Sequence, residues 1–535
     1  MRRTALLLLL LSLAGTLACT RPDDGSHAGE TVFRHRLKDD PPDMDPARAR
    51  DVLSDTVLLK MFDGLVDLDP ATLEIVPAVA ESWEISEDGL VYTFHLRPDV
   101  KFHNEREVIA ADAVYTFTRA LRPETRSGRP WVFTPILGAE DFADGKAETV
   151  AGLEAVDDRT LRITLERPFA PFLAHLAVAQ GGLVPREIYD DRSRSYLRHP
   201  VGCGPFRFGS WTPGQSITLE AFPDYYGEGP FIDRLVFYII DSQETALQEY
   251  RAGNLDLTDE IPSGKRAALM EEFGSQYRRW PQLQIRFFIL NHARPPFQGN
   301  RALRQAMNHA LDRKFLLEEL GEGKDFPVPG ILPPGLPAFD PERRGYDFDP
   351  DKARRLLVEA GYPNGEGLPE LSLLYPTNEG HRRMGERVVA DLAAVGVKVR
   401  LRNLDFGAYL AAITGTLEEP PEDEILSFGW VADYPDAFNF LFPNLHSSNL
   451  GPGGNYSHYV NPEFDALLDE AIRETDTERR IELYRRAETL AVEDAVWLFF
   501  YSYRDEALVR PEVQGLILNP LGDFAFPISR VRLTR

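Results

Sequence analysis

Apolar residues follow two different spacings along the chain, and segments with one spacing alternate with segments of the other. Over 91–97 apolar and polar side chains alternate, which predicts a strand with one buried face. Over 110–121 apolar residues recur every three or four positions, which predicts a helix. A continuous apolar run over 496–503 predicts a buried strand. The same patterns predict strands at 161–165, 234–240, 284–290, 371–375 and 397–404, and helices at 52–62, 243–252, 300–311, 351–360, 381–395, 461–474 and 476–494. Strands and helices mixed in this way indicate an α/β fold.

The first 30 residues have the pattern of an export signal followed by a tether. Two arginines precede an apolar stretch over 5–13, which is shorter than the ~20 residues that span a bilayer. Residues 1–18 are therefore predicted to be a signal peptide. An alanine directly before Cys19 favours the lipoprotein form, in which Cys19 is lipidated and 19–30 form a flexible tether. Such a protein is exported and anchored by its lipid alone, in the periplasm or on the extracellular face. The alternative is a plain signal peptide with an unrelated cysteine nearby.

The charge balance and the length exclude some classes of protein. The chain has 84 Asp and Glu against 59 Lys and Arg, which gives a net charge of −25. This charge repels phosphate backbones, so nucleic-acid binding is not expected. The chain has 535 residues, more than the ~250–300 that one core usually holds, so more than one domain is expected.

Sequence motifs for catalysis and for metal binding are absent. No histidines have the HExxH spacing of a helical zinc site, and there is neither a CxxC nor a GxSxG motif. One of the two cysteines, Cys203, has a glycine on each side and is predicted to be a buried structural residue. We therefore expect no cofactor, no metal and no enzymatic activity, and a binding function is favoured. An envelope hydrolase is the alternative of another class.

Several long blocks resemble one known protein family. Residues 80–121, AESWEISEDGLVYTFHLRPDVKFHNEREVIAADAVYTFTRAL, resemble the signature block of the family 5 extracellular solute-binding proteins. Residues 201–211 (VGCGPFRFGSW), 290–313 (LNHARPPFQGNRALRQAMNHALDR) and 431–471 (VADYPDAFNF … VNPEFDALLDEA) resemble later blocks of that family in the same order. These proteins are the peptide, dipeptide and nickel receptors of ABC importers. The chain is identified as a member over roughly residues 31–535.

The resemblance implies an architecture and a set of partners. The implied fold is the two-lobed periplasmic-binding-protein fold, in which ligand is enclosed between lobes that close by a hinge motion. The first lobe would comprise 31–60, 186–284 and 506–535, with an extra domain inserted at 61–185, and the second lobe would comprise 285–505. The implied ligand is a peptide or another small solute, the implied partners are the permease subunits of an ABC importer, and a monomer is expected.

The resemblance also implies ligand-binding residues. In peptide-binding members the Asp of a W-x-x-D-Y motif pairs with the α-ammonium of the ligand, and that motif falls here on Trp430, Asp433 and Tyr434. A cation enclosed in a dry cleft needs a carboxylate partner, because an unpaired charge there costs several kcal/mol. Trp430 and Trp131 are implied as aromatic walls, and His381 as a contact near the C-terminal end of the ligand. The alternatives are a surface turn for Asp433, core packing for Trp131 and an exposed helix start for His381.

Two positions depart from the pattern of the oligopeptide-binding members. Ser427 stands where they have an arginine three residues before the motif tryptophan, and Arg50 stands where they have an acidic residue near the ligand backbone. The resemblance thus leaves open how the C-terminal end of a peptide would be held. A ligand of another kind, such as a metal chelate, an opine or an oligosaccharide, also remains open within the same fold.

Overall fold

The structure, a computed structural model, describes residues 29–534 apart from 191–194, 260, 263, 321, 322, 415–418, 452 and 453. The predicted signal peptide, the predicted lipidation site Cys19 and most of the predicted tether lie outside the described residues. In the part of the chain that is described, no helix combines the length and the apolar composition needed to cross a membrane.

Strands and helices are mixed along the chain as the hydrophobic pattern predicts. The strands are β1 (Val32–Leu37), β2 (Val66–Leu68), β3 (Ile75–Pro77), β4 (Ala80–Ile85), β5 (Val91–Leu96), β6 (Leu153–Ala155), β7 (Thr160–Thr164), β8 (Phe206–Thr212), β9 (Ser216–Ala221), β10 (Arg234–Ile239), β11 (Leu257–Asp259), β12 (Tyr277–Leu290), β13 (Phe326–Pro327), β14 (Leu371–Pro376), β15 (Val399–Leu404), β16 (Ile425–Val431), β17 (Trp497–Val509), β18 (Val513–Gln514) and β19 (Arg532–Leu533). The α-helices are α1 (Val52–Leu58), α2 (Ala110–Leu121), α3 (Ala139–Ala143), α4 (Phe172–Leu176), α5 (Arg186–Tyr189), α6 (Gln243–Ala252), α7 (Arg266–Phe273), α8 (Arg301–Ala310), α9 (Arg313–Leu320), α10 (Pro350–Glu359), α11 (Glu379–Ala393), α12 (Phe406–Thr414), α13 (Phe438–Leu445), α14 (Pro462–Ala471) and α15 (Thr477–Glu493).

One large mixed sheet joins early, middle and late segments of the chain. Its strand order is β15-β14-β16-β12-β17-β11-β1-β10-β9-β8, and β13 pairs with β17 outside this path. β1 is parallel to β10 and β11, and β14 is parallel to β15 and β16, whereas the other pairs on the path are antiparallel. A mixed sheet with helices between its strands confirms the α/β prediction.

The long central strands β12 and β17 pair with each other in three stretches, separated by register shifts between Pro281 and Ile285 and between Arg286 and Phe287. Residues 277–281 of β12 pair with 504–508 of β17, and the register shifts before pairing resumes at Ile285. Trp280, before the first shift, packs in one hydrophobic core, whereas Phe287, after the second shift, packs in another. The two ends of one strand pair therefore belong to different cores.

A separate four-stranded antiparallel sheet has the order β4-β5-β7-β6. Along β5, Tyr92, Phe94 and Leu96 are buried and alternate with more exposed residues, as the sequence pattern predicts. A buried ion pair joins α2, which belongs to this part of the chain, to the segment before α1. Arg119 Nη1 donates to Asp45 Oδ1 at 2.9 Å, and the two side chains are 7% and 0% exposed.

The bounds of the elements differ from the predictions mainly where tertiary contacts decide them. The helix predicted over 110–121 is α2, and its bounds are confirmed. The helix predicted over 52–62 ends early, because the chain leaves α1 after Leu58 through a turn in which Phe62 N–H donates to Leu58 O. The strand predicted over 284–290 begins earlier, at Tyr277, because β17 pairs with those residues. The burial of Cys203 is confirmed, since its thiol is fully buried.

Candidate functional site

Two neighbouring cavities meet at the W-x-x-D-Y motif. The first cavity has a volume of about 590 Å³ and is lined among others by Arg50, Asp55, Asp63, Arg129 and Asp433. The second cavity has a volume of about 980 Å³ and is lined among others by Trp131, His175, Trp430, Asp433, Phe438 and Asn439. Asp433 and Tyr434 line both cavities. The structure therefore brings together four of the five predicted ligand-binding residues, and the fifth, His381, lines neither cavity.

Asp433 presents an accessible carboxylate at the junction of the two cavities. It follows the end of β16 by two residues, where the chain still runs beside β12 because Ala432 N–H donates to Leu283 O at 2.9 Å. The residue is exposed to solvent, yet protein surrounds it closely enough that burial raises the pKa of its carboxyl group. Asn439 fixes its position, because Nδ2 of Asn439 donates to Asp433 Oδ2 at 3.2 Å and Oδ1 of Asn439 accepts from Asp433 N–H at 3.0 Å.

The turn that follows Asp433 is held by another carboxylate. Asp436 N–H donates to Tyr434 O at 2.9 Å, and Asp436 Oδ1 accepts from Phe438 N–H at 2.8 Å. Asp436 lines neither cavity. The two aspartates of the D-Y-P-D segment thus have different surroundings, and the turn does not occupy the carboxylate of Asp433.

Asp55 and Arg129, which carry opposite charges, line the first cavity together with Asp433. Arg129 Nη1 is 2.9 Å from Asp55 Oδ2 and 3.3 Å from the side-chain oxygen of Gln180. Burial raises the pKa of both Asp55 and Asp433, and the positive charge of Arg129 offsets part of each increase. Arg129 is already paired with Asp55, and within the described residues no ion pair joins Asp433 to a Lys or Arg. Asp55, Arg129 and Asp433 together therefore carry one negative charge, and the described part of the protein gives it no direct ion-pair partner.

An aromatic cluster lines the second cavity. The ring centroid of His175 lies 4.8 Å from Trp131 and 4.7 Å from Tyr434, and both pairs meet edge to face. Burial lowers the pKa of His175 to about 3, so this imidazole is neutral at physiological pH. Trp430 is half-buried, and its Nε1 donates to Asn439 Oδ1 at 3.3 Å. Both tryptophans of the prediction therefore lie on the walls of the second cavity, and Asn439 connects Trp430 to Asp433.

Elsewhere in the lining of the first cavity, two tyrosines share one carboxylate. The hydroxyl groups of Tyr225 and Tyr226 donate to Asp63 Oδ2 at 2.9 and 2.7 Å. Burial, together with the charge of Asp67, raises the pKa of Asp63 to about 7. The first cavity is therefore lined by acidic groups such as Asp63 and Asp433 and by basic groups such as Lys60 and Arg129.

His381 lies in a different part of the structure. Asn378 begins α11, and its side chain accepts from His381 N–H at 3.3 Å, which places the imidazole on the first turn of that helix. Arg286 Nη2 lies 2.7 Å from His381 Nε2 and 3.2 Å from the hydroxyl oxygen of Ser427. Burial and the charge of Arg286 lower the pKa of His381 to about 4, so the imidazole is neutral and can accept a hydrogen bond from the guanidinium.

Sequence reasoning missed four residues of these arrangements: Asp55, Arg129, Arg286 and Asn439. Arg129 lies two residues before Trp131, and Asn439 belongs to the same family-like block as Asp433. Both could therefore have been proposed as site residues from their predicted neighbours. The sequence gives no such indication for Asp55 and Arg286, because their contacts with Arg129 and His381 join segments that are far apart in the chain. Among the described residues, no group of three or more His, Cys, Asp and Glu side chains is arranged to hold a metal ion.

Comparison with known proteins gives consistent matches over most of the chain. The family model described as bacterial extracellular solute-binding proteins, family 5 Middle, matches residues 74–452. Heme-binding protein A of Haemophilus influenzae is 33% identical over 491 residues, which cover 87% of this chain and 86% of that protein. Di/tripeptide-binding protein 4 of Pseudomonas aeruginosa is 31% identical over 503 residues, which cover 90% of this chain and 91% of that protein.

The three-dimensional comparison supports the same architecture. The solved structure of MppA, a periplasmic murein tripeptide binding protein in its unliganded open form, shares 26% sequence identity with this chain. The alignment has a TM-score of 0.84 and covers 95% of this chain and 98% of that one. The expected two-lobed fold is thereby confirmed.

Proposed function

This chain belongs to the bacterial extracellular solute-binding proteins of family 5, and from that premise we propose that it captures peptides between its two lobes and delivers them to the membrane permease of an ABC importer. The observation that carries the proposal is the carboxylate of Asp433, which is accessible in a cleft and has no ion-pair partner among the described residues. In this proposal the chain is a monomeric binding protein and catalyses no reaction.

Asp433 is the proposed partner of the α-ammonium group of the peptide. A carboxylate whose pKa is raised by burial gains from a cation, because the pairing compensates the loss of hydration. The hydrogen bond that Asn439 donates orients the carboxylate before ligand arrives, which reduces the entropy that binding must overcome. Trp131 and Trp430 line the second cavity together with Asp433, and the ring of Tyr434 packs against that of Trp131.

The division of the chain that we propose follows the family pattern. Residues 31–60, 186–284 and 506–535 form the first lobe, 61–185 the inserted domain, and 285–505 the second lobe. In this division Asp433 belongs to the second lobe, Arg129 to the inserted domain and Asp55 to the first lobe's side of the cleft. A ligand on Asp433 would then contact more than one unit and favour their closure.

A non-peptide solute is the second candidate, and two observations favour it. One matched relative is named a heme-binding protein, and the second cavity is large, with a volume of about 980 Å³ and several aromatic side chains in its wall. Aromatic walls accommodate planar or apolar ligands as well as peptide side chains. A metal chelate, an opine or an oligosaccharide would bind in the same fold.

The first test is to identify what the protein holds. Ligand released by denaturing the purified domain from Thr20 onward would be analysed by mass spectrometry, beside a thermal-unfolding screen of short peptides. We expect peptides in the released fraction, and a clear rise in melting temperature, since a ligand at 100 times its Kd adds about 2.7 kcal/mol. A non-peptide solute, with no peptide that stabilises the protein, would favour the second candidate. Cleaved peptides after incubation would instead indicate an envelope hydrolase.

We also propose that residues 1–18 direct export and that Cys19 carries the lipid anchor. The supporting features are the short apolar stretch over 5–13 after two arginines and the cysteine that follows it at position 19. With Cys19→Ser, we expect the protein to move from the membrane fraction to the soluble fraction of the cell envelope after fractionation. Retention of the variant in the membrane fraction would contradict lipidation at this residue.

A further inference from the structure

Arg129 presents unused hydrogen-bond donors in the first cavity. Its Nη1 donates to Asp55 Oδ2 at 2.9 Å and to the side-chain oxygen of Gln180 at 3.3 Å. Its Nε and Nη2 donate to no residue in the described part of the chain, and neither nitrogen is fully buried. The side chain is 18% exposed and lines the cavity together with Asp55 and Asp433. The guanidinium thus leaves three N–H groups for a molecule in this cavity.

The contacts of Nη1 hold the guanidinium in place and compensate its charge. Asp55 supplies the negative charge from a side chain that is 8% exposed. Gln180 is almost completely buried and is itself held, because its Nε2 donates to Ala49 O at 2.7 Å. A second anion near Arg129 would be repelled by Asp55 and Asp433, so the remaining donors suit an uncharged acceptor such as a carbonyl oxygen.

Asp433 and the unused donors of Arg129 form a complementary pair in one cavity. Asp433 offers a charged acceptor, and Arg129 offers N–H donors. The two side chains are close enough that the positive charge of Arg129 offsets part of the rise in the pKa of Asp433 that burial causes. At the N-terminus of a peptide, the ammonium nitrogen and the first carbonyl oxygen are joined by three bonds and lie about 3 Å apart. The two protein groups therefore match a donor and an acceptor that peptides carry side by side.

We propose that Arg129 donates a hydrogen bond to the first carbonyl oxygen of a peptide whose ammonium group is held by Asp433. The inference rests on the proposed function and makes it more specific, because the cavity then recognises an ammonium group with a carbonyl group on the neighbouring carbon. A plain amine has no such carbonyl group and would leave the donors of Arg129 unpaired. Asp55 and Gln180 act as positioning residues, which hold the guanidinium in place.

The test changes one oxygen atom of the ligand at a time. Binding of tri-alanine and of its two monothio analogues, in which sulfur replaces the oxygen of the first or of the second peptide carbonyl, would be measured by isothermal titration calorimetry. Sulfur is the weaker hydrogen-bond acceptor. We expect the wild type to bind the first-position analogue about five- to tenfold more weakly than tri-alanine, because a hydrogen bond from a charged donor is weakened. The second-position analogue should bind within about twofold of tri-alanine.

Two variants separate this hydrogen bond from the ion pair with Asp55. Asp55→Leu/Arg129→Met removes both charges together, so no buried charge is left unpaired. In this double variant, tri-alanine and the first-position analogue are expected to bind within about twofold of each other. Arg129→Lys keeps a positive charge opposite Asp55 but loses the planar group of donors, so it should reduce the difference to about threefold or less.

Arg126 provides the matched control, because it lies three residues before Arg129 but lines neither cavity. Arg126→Gln should leave the difference between the ligands unchanged. Equal binding of tri-alanine and the first-position analogue by the wild type, or an undiminished difference in the double variant, would overturn the inference while peptide binding stands. If tri-alanine itself does not bind the wild type, the proposed function fails and the inference fails with it. Binding of the second-position analogue shows that the double variant is folded, and Arg129→Lys decides the question if it is not.

Discussion

Asp433→Asn is expected to weaken peptide binding by a factor of about 30 to several thousand, which corresponds to about 2–5 kcal/mol. The substitution keeps the size of the side chain and the hydrogen bonds with Asn439 but removes the charge that would face the ligand ammonium group. Calorimetric titration with tri-alanine would measure the loss. The affinity of the wild type should also decrease as the pH is lowered through the raised pKa of Asp433, since protonation removes the same charge. This pH dependence should be absent from the variant.

Asp436→Asn is the matched control for this experiment. Asp436 lies in the same D-Y-P-D segment, but its carboxylate accepts from a backbone N–H of the turn and lines neither cavity. We expect its substitution to leave the affinity within about twofold of the wild type. Asp433→Asn itself should not lower the stability of the ligand-free protein, because burial already disfavours the charged form of Asp433. Equal affinities of Asp433→Asn and the wild type would remove Asp433 from the site.

Asp45→Asn is expected to lower the free energy of unfolding by about 3–5 kcal/mol. The reason is that Arg119 would stay buried without a counter-charge, since both side chains of the Asp45–Arg119 pair are almost completely inaccessible. The pair joins α2 to the segment before α1, so its loss affects the contact between two parts of the fold. The change would be measured as a shift of the urea midpoint at unchanged slope.

An ion pair two residues away gives a direct comparison. Asp43 and Arg48 are 2.7 Å apart, but their side chains are 17% and 31% exposed. Asp43→Asn should therefore cost no more than about 1 kcal/mol, because water partly replaces the lost partner. If the two substitutions destabilised the protein equally, burial would not be the reason for the effect of Asp45.

The hydrophobic pattern predicted local elements well and long-range contacts poorly. The alternation over 91–97 and the helical spacing over 110–121 correspond closely to β5 and α2, because each element buries one face of its own. The first half of β12 was missed, since it contains two arginines and a proline and is held in the sheet by its pairing with β17. Periodicity along one segment carries no information about a partner more than 200 residues away.

The same limit applies to the site. Asp433, Tyr434 and Trp430 were found because one short motif contains all three, and Trp131 because it lies near the position where the resemblance implies an aromatic residue over the ligand. The pairing of Asp55 with Arg129 and the approach of Arg286 to His381 each join segments that are distant in sequence. Such contacts depend on strand register and helix placement, which one sequence does not specify residue by residue.

The register shift between Pro281 and Ile285 in the β12–β17 pair has a mechanical consequence. Backbone hydrogen bonds hold the two strands together on both sides of the shift, so neither strand can slide along the other, while the intervening residues lack regular pairing. We expect the parts of the sheet on either side to move relative to each other chiefly by bending of this two-stranded ribbon. In the proposed division into lobes, one bending angle would then set the width of the cleft, and a ligand that contacts both sides would select a value of that angle without breaking any ladder hydrogen bond.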